Sequence, residues 1–353
     1  MVRPVRIASI CLAPNRDVPP EEVLEKTVAP KEILAEAERV AAEGVDLILT
    51  PEVWSGEIAE SSGDAIYDFS SGVLNHCRNI ARRGNCYMAV CMPRELKTDE
   101  LRMVQQTDQE GRFKGIRKLT RNSIFLIDRQ GQIVYIYDKL YPYPVEFLQC
   151  DGVSMNVKEM KMAPVKEGAV IPGNHAGVFD CDFGRLGMRI CFDMNFPQAW
   201  EMLAADDVEL VIWSSAFSGG RNASVRAAAN HYYVVSCTCI GKGDCRVIDI
   251  NGDELLVKYP EQGRITNTVQ VTLDLDRMIF HKNFNEGKIR EILIRYGDKI
   301  SLDDSLYEEE EWMILQSSDP NLSVHSLCEE YGLIPLRAFK NHVMPDYIET
   351  YRC

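Results

Sequence analysis

Long apolar runs are missing from this 353-residue chain, and no stretch approaches the roughly 18 apolar residues that suggest a membrane-spanning helix. Excess positive charge is missing as well: 39 Lys and Arg stand against 53 Asp and Glu, a formal net charge of −14. Nucleic-acid backbones and anionic lipid surfaces are both met by clustered Lys and Arg, so neither is expected as a partner. Met1 to Pro14 lack the apolar centre and small-residue cleavage site of a secretory leader, which makes the cytoplasm the expected location. Histidine is scarce, at 6 residues, and none follows a strand end as a Cys/His site would suggest. Cys237, Cys239 and Cys245, in C-T-C-I-G-K-G-D-C, do not have the Cys-x2-Cys spacing of zinc sites. Gly241-Lys242-Gly243 has neither the length nor the helix-opening context of a phosphate loop. No metal and no cofactor is therefore expected.

What is present is a soluble globular composition, 46% hydrophobic and 26% charged, with 12 cysteines. In a reducing compartment these are free thiols, and Cys77, Cys86, Cys91 and Cys181 lie in apolar segments instead of a disulfide framework. The length suits two domains or one large α/β domain.

Taken in order, the chain reads as two similar halves. A strand at Val5 to Leu12 leads through a Pro-rich loop to a helix at Lys31 to Glu43, which Gly44 ends. Val45 to Leu49 is then a strand running into Thr50-Pro51-Glu52. A helix with Val73, Leu74, Cys77, Ile80 and Ala81 inward precedes a strand at Tyr87 to Met92. A hairpin follows, Ser123 to Asp128 and Gln132 to Tyr137, ending at Asp138-Lys139. The second half repeats this with a helix after Pro197, strands Val208 to Ser214 and Tyr233 to Ile240 around a helix near Ser224 to His231, and a hairpin at Asn251-Gly252. Two mixed sheets packed face to face with helices outside follow from such a duplication, an α-β-β-α sandwich with an internal pseudo-two-fold. Glu95 to Asn122 and Gln149 to Asn174 are long for connections and are candidate lids. Residues 1–299 are expected to form the main domain and 300–353 a tail. In that tail Trp312, Met313, Ile314 and Leu315 would cover a second copy of the chain.

The segment G-R-L-G-M-R-I-C-F-D-M-N-F-P, Gly184 to Pro197, delivers Cys191 from a strand end to a turn before a helix. Strand carboxyl ends gather ligands in open α/β sheets, and backbone N–H groups there can face a developing negative charge. A cysteine nucleophile needs a base, a donor for the oxyanion and a proton source for the leaving nitrogen. With histidine unsuited, a buried carboxylate can serve as base. Glu52 stands at a strand end that the duplication makes equivalent to that of Cys191. Lys139 ends the first hairpin, and its ammonium is expected to lower the thiol's pKa from about 8.5.

The segments L-I-L-T-P-E, Y-D-K-L and G-M-R-I-C-F-D-x-x-F-P resemble the Glu, Lys and Cys motifs of the nitrilase, or carbon–nitrogen hydrolase, superfamily. R-A-A-A-N-H-Y-Y-V-V is similar to its R-A-x-x-N helix, and the likeness runs from about Arg6 to Arg290. This resemblance implies the four-layer sandwich, a Glu52–Lys139–Cys191 triad, a homo-oligomer and a small-molecule substrate. Glu146, in K-L-Y-P-Y-P-V-E, is similar to a second family glutamate, one residue nearer the lysine than in aliphatic amidases. Cys191-Phe192-Asp193 looks like the amide-hydrolysing branches, whereas nitrilases proper usually carry C-W-E. Met194 and Asn195 stand where carbamoyl-amino-acid hydrolases often place arginines, so a free carboxylate on the substrate is not expected unless Arg221 holds it. Trp54, Tyr141, Tyr143, Trp213 and Phe217, with Phe192 and Asn195, are the candidate substrate-binding residues. An amide or carbamoyl compound is the expected substrate. The alternatives are a nitrile, or a catalytically silent oligomeric scaffold of the same fold.

Overall fold

A computed structural model gives the architecture, and the structure describes residues 3–12, 28–109, 111–116, 118–150, 156–239, 244–261 and 264–352. The Pro-rich loop expected after Leu12, and the end of the strand expected to reach Ile240, lie outside the described residues. The first half supplies β1 (Pro4–Leu12), β2 (Leu47–Leu49), β3 (Tyr87–Glu95), β4 (Leu119–Ile127) and β5 (Ile133–Asp138). The second supplies β6 (Val178–Cys181), β7 (Gly184–Ile190), β8 (Leu210–Ser215), β9 (Tyr233–Thr238), β10 (Cys245–Ile248) and β11 (Glu254–Lys258). A further strand, β12 (Thr266–Asp274), returns to the first sheet and pairs antiparallel with β1.

The duplication is visible in the strand orders, β12-β1-β2-β3-β4-β5 and β11-β10-β9-β8-β7-β6. In each half three parallel strands, β1-β2-β3 and β7-β8-β9, are followed by two antiparallel ones. One antiparallel edge strand precedes each parallel set, β12 beside β1 and β6 beside β7.

Side-chain alternation along β1 explains the layering. Val5, Ile7 and Cys11 join an inner cluster with Leu49, Ile124, Met188, Ile190, Ile212 and Val235, drawn from both sheets. Ala8, Ile10 and Leu12 face the other way, toward Ile33, Ala37 and Val40 of helix α1 (Pro30–Ala42) and Leu74, Cys77 and Ile80 of α2 (Gly72–Gly84). The second sheet is covered by α3 (Pro197–Ala205) and α4 (Arg221–Asn230) through Trp200, Leu203, Ala223 and Ala227. Polar stitches cross the inner layer: Ser214 Oγ donates to the Thr50 carbonyl at 2.8 Å, and Ser9 Oγ to that of Ser236 at 2.7 Å. Gly44 ends α1 at φ +78°, a conformation that glycine adopts without the Cβ penalty.

Beyond β12 the chain forms β13 (Met278–His281), α5 (Lys282–Tyr296), β14 (Ile300–Asp303), β15 (Trp312–Ser317), α6 (Val324–Tyr331) and α7 (Met344–Tyr351). The small sheet β13-β15-β14 straddles the expected division after residue 299, so the main domain and the tail share hydrogen bonds. Met313 and Leu315 pack with Phe280, Ile289 and Ile292, while Ile314 joins the inner cluster of the sandwich. Trp312 meets His231 edge-on, with ring centroids 5.0 Å apart. This corrects the expectation that these four residues cover a second copy: a strand with both faces covered by its own chain reads as a continuous apolar run.

The described residues of the two long connections pack together. Leu101 and Val104 of a helix at Thr98–Thr107 pack with Leu119, Phe147, Val165 and Ala169. Both connections thus meet in one small cluster beside the short helix Pro144–Phe147. Among the described residues no helix is long and apolar enough to cross a membrane, and the described cysteines are free thiols.

Candidate active site

Three strand ends meet at one edge of the sandwich. After β2, Pro51 has no N–H to continue the ladder, and the chain turns so sharply that Val53 sits at φ +66°. A β-branched residue there is unusual, and such strain clusters at functional sites. The turn leaves Glu52 buried, 3% exposed. After β5, Lys139 donates its backbone N–H to the Asn122 carbonyl at 2.8 Å and is itself 1% exposed. After β7, Cys191 sits at φ +42° and opens a 3-10 turn, Cys191–Asn195, which Pro197 converts into α3. The carboxylate of Asp193 pins this turn, accepting the N–H of Ile190 at 3.0 Å, the N–H of Tyr141 at 2.9 Å and the hydroxyl of Tyr137 at 2.7 Å.

Charge is gathered tightly behind the thiol. Lys139 Nζ lies 3.0 Å from Glu52 Oε1 and 2.7 Å from Glu146 Oε2. Asn122 Nδ2 donates to Oε1 of both glutamates, at 2.6 and 3.0 Å. The backbone N–H of Ala216 reaches Glu52 Oε2 at 2.8 Å, and that of Tyr143 reaches Glu146 Oε2 at 2.5 Å. Although Glu146 is one residue closer than expected, the short helix Pro144–Phe147 still carries it to the lysine.

Two carboxylates facing one ammonium leave formal negative charge in excess, and this adds to what burial does to the thiol. Burial pushes the Cys191 thiol up, the Glu52 carboxylate adds to it, and the pull of Lys139 in the other direction is outweighed. Burial alone would lower Lys139, but the carboxylates of Glu52 and Glu146 hold it well above the usual lysine range. The resting site therefore pairs an ammonium with a neutral thiol. That differs from the expectation of a thiolate favoured by Lys139, since burial and the Glu52 carboxylate together outweigh the ammonium.

The expected symmetry also needs correction. Glu52 follows β2, the second strand of its half, whereas Cys191 follows β7, the first of its half. They converge because the sheets face each other, not because their positions correspond in the repeat.

Among the residues expected to line the site, Trp54 lies in the layer between first sheet and helices, fully buried, its indole bonded to the Cys91 carbonyl at 2.9 Å. Trp213 is 2% exposed and holds the Cys191 carbonyl at 3.1 Å. Both belong to the frame and not to the rim, because a buried indole is placed by its one N–H donor. Phe192 meets Phe196 and Tyr143 edge-on at 5.6 and 5.1 Å, and Tyr141 stacks on Phe196 at 3.7 Å. Phe217 is exposed beside Ala216, and Asn195 is exposed with its amide 3.4 Å from the Phe192 carbonyl. Sequence reasoning missed Asn122, the Ala216 N–H and Ser215, whose side chain hydrogen-bonds the Cys191 thiol. The signal for Asn122 is a polar run, Thr120 to Ser123, ahead of the apolar Ile124 to Ile127 on the same strand; buried polar residues of that kind have assigned partners.

Among the described residues no group of three or more His, Cys, Asp or Glu could hold a metal ion. Cys237 and Cys245 instead point between the sheets, donating to the carbonyls of Ile10 and Asn267 at 3.0 and 3.2 Å.

This mixed α/β architecture, with its glutamate, lysine and cysteine at converging strand ends, is that of a nitrilase-superfamily enzyme. More narrowly, residues 6–280 match the model of the carbon–nitrogen hydrolase family, and the chain belongs to that family. It is 25% identical over 282 residues to the deaminated glutathione amidase of Dictyostelium discoideum, covering 71% of this chain and 87% of that one. Its fold resembles Saccharomyces cerevisiae Nit3, a member of branch 10 of the nitrilase superfamily, with a TM-score of 0.55, 16% identity and coverage of 81% and 94%. It also resembles an amidase mutant from Nesterenkonia sp. AN1 that carries the acetamide moiety of fluoroacetamide covalently on its active-site cysteine. There the TM-score is 0.51, the identity 18%, and the coverage 78% of this chain and 91% of that one.

Proposed function

We propose that the chain hydrolyses a carbon–nitrogen bond of a small, linear, non-peptide amide to an acid and ammonia or an amine, through a thioester on Cys191. The observation that carries this reading is the shared ion pair of Glu52 and Lys139 beside the half-buried thiol.

Each group has one task in it. The substrate carbonyl lies between Lys139 Nζ and the backbone N–H of Phe192, donors that are each worth roughly 3–4 kcal/mol to an oxyanion. Cys191 Sγ attacks as its proton passes to Glu52, a transfer the raised thiol requires. The tetrahedral adduct collapses, Glu52 returns the proton to the leaving nitrogen, and a thioester remains. Glu52 then takes a proton from water, hydroxide equivalent adds to the thioester, and the acid leaves as Cys191 recovers its proton. Glu146, which accepts the Tyr143 N–H, gives Lys139 a second carboxylate contact beside that of Glu52. The Nesterenkonia amidase, whose active-site cysteine takes up the acetamide moiety of fluoroacetamide covalently, supports a nucleophilic cysteine.

The substrate end beyond the carbonyl meets Phe192, Tyr143 and Phe217, which suits an apolar acyl group. Met194, at a place where carboxylate-binding relatives often carry arginine, is 3% exposed and faces α3 and α4. Self-association, cytoplasmic location and a small-molecule partner belong to the same proposal. The experiment that tests the reaction is ammonia release from a panel of simple amides, carbamoyl compounds and nitriles, with Cys191→Ala as control. Release from amides alone, abolished in the control, supports it; release from nitriles alone, or none from any, refutes it. Sedimentation of the full chain tests self-association, and a monomer at all concentrations would exclude it.

A further inference from the structure

We propose that Asn122 is the positioning residue of this site, whose one amide nitrogen occupies Oε1 of both glutamates and leaves Oε2 of Glu52 as the atom that exchanges a proton with Cys191. This rests on the reading of Glu52 as the base, and deepens it to a single oxygen.

A carboxylate oxygen offers two lone-pair sites. On Glu52, Oε1 receives Lys139 Nζ at 3.0 Å and Asn122 Nδ2 at 2.6 Å, so both of its sites are filled. Among the described residues Oε2 receives only the Ala216 N–H, at 2.8 Å, and keeps one site free for a proton. Asn122 is held in turn. It is 7% exposed on β4, its carbonyl accepts the Lys139 N–H at 2.8 Å, and its Oδ1 accepts the Cys91 thiol at 3.8 Å. With carboxylates on one side and a thiol donor on the other, only one orientation of the amide is satisfied. Both amide hydrogens are used, one per glutamate, so a single side chain sets the spacing of two like charges. The groups facing Glu52 are Lys139 and the thiols of Cys191, Cys91 and Cys239, with Glu146 across the shared lysine.

The test is the pH dependence of Cys191 alkylation by iodoacetamide, read by mass spectrometry of the peptide that carries it. Alkylation forms the Sγ–CH2 bond, breaks the carbon–iodine bond and releases iodide. The thiol proton goes to Glu52 near neutrality and to hydroxide in alkali. The unaltered protein should show a neutral plateau below an alkaline rise, and Glu52→Gln should lose the plateau. Asn122→Ala should lower the plateau about tenfold while leaving the alkaline rise in place. Asn122→Ser, which keeps one donor, should fall between them and carries the test if Asn122→Ala does not fold. A merely structural role would scale the whole profile equally. An Asn122→Ala or Asn122→Ser protein with the unaltered profile, alongside a Glu52→Gln protein that has lost the plateau, overturns the role of Asn122 alone. A plateau that survives Glu52→Gln overturns the base assignment itself.

Discussion

The indole N–H of Trp213, on β8, donates to the carbonyl oxygen of Cys191 over 3.1 Å. That single bond reaches from the neighbouring strand to the first residue of the turn after β7, where Cys191 is held at φ +42°. A non-glycine residue in this region costs on the order of 1–3 kcal/mol and persists only where surrounding contacts over-determine it. Trp213 from one side and the Asp193 carboxylate from the other supply them.

Trp213→Phe should therefore separate positioning from stability. The ring volume is largely kept, so the loss in stability should be near the roughly 1 kcal/mol of one hydrogen bond. Turnover should fall about tenfold or more, because the sulfur is no longer fixed against the carbonyl it attacks. Steady-state kinetics beside urea unfolding decide it: an unaltered kcat would mean that the turn is held without the indole.

How much of this was legible in the sequence follows from how local each feature is. The strand ends at Glu52, Lys139 and Cys191 are local, set by Pro51, by the end of a hairpin and by Pro197, and they could be read directly. The duplication could be read because matching runs such as G-V-D-L-I-L-T-P-E and D-V-E-L-V-I-W-S-S occupy the same rank in two sheets. What a strand pattern does not encode is which face meets which. Trp54 and Trp213 both stand near motif ends, yet their indoles turn into the helix-covered layers. The fate of Trp312 to Leu315 depended on β13, which lies more than 30 residues earlier. The state of the thiol was misjudged for a related reason: the influence of Lys139 depends on Glu146 and Glu52 together, a count that exists only in three dimensions.

The tail correction has a direct consequence for stability. Met313 and Leu315 are 3% and 0% exposed against Phe280, Ile289 and Ile292. Replacing either by alanine should cost about 2–5 kcal/mol, as deletions of buried methylene groups do. Denaturant unfolding checks this, and a change below about 0.5 kcal/mol, the size of an ordinary surface substitution, would return these residues to the surface.

Acid stability should depend on the latch between the Thr98–Thr107 helix and the site. Arg94 donates to Glu100 at 2.7 Å and to Asp138 at 2.8 Å, next to Lys139. Burial works to raise Glu100, but the Arg94 guanidinium outweighs it and brings the carboxyl down to about 2. A depressed carboxyl stabilises the fold fully above its unfolded value of about 4.3 and loses that contribution as the pH falls through the folded value. Glu100→Gln should therefore be less stable by roughly 2–3 kcal/mol at neutral pH. The difference should close between about pH 4 and pH 2. Urea unfolding at a series of pH values reads this directly; a gap that persists unchanged at the acid end would assign the loss to packing instead of charge.

The covalent step makes the sharpest demand on the site. Because burial, with the Glu52 carboxylate adding to it, pushes the Cys191 thiol up, attack on the carbonyl in the proposed mechanism must be coupled to proton removal by Glu52. Direct attack by water, with Cys191 only structural, needs no such coupling and leaves the acyl group free throughout. During turnover of a slow amide, protein quenched in acid should therefore gain the mass of the acyl group on the peptide that contains Cys191. Hydroxylamine added during turnover should divert the thioester to a hydroxamate. Glu52→Gln should fold normally yet form no adduct, since its amide cannot take the thiol proton. Lys139→Ala should fail at the same point, with the two glutamates left without their shared cation. Cys191→Ser should lose most activity, because a hydroxyl in the same negative surroundings is much harder to ionise than a thiol. Substantial turnover by Cys191→Ala, or hydroxylamine that diverts no product, would remove the nucleophile from Cys191 and leave water as the attacking group.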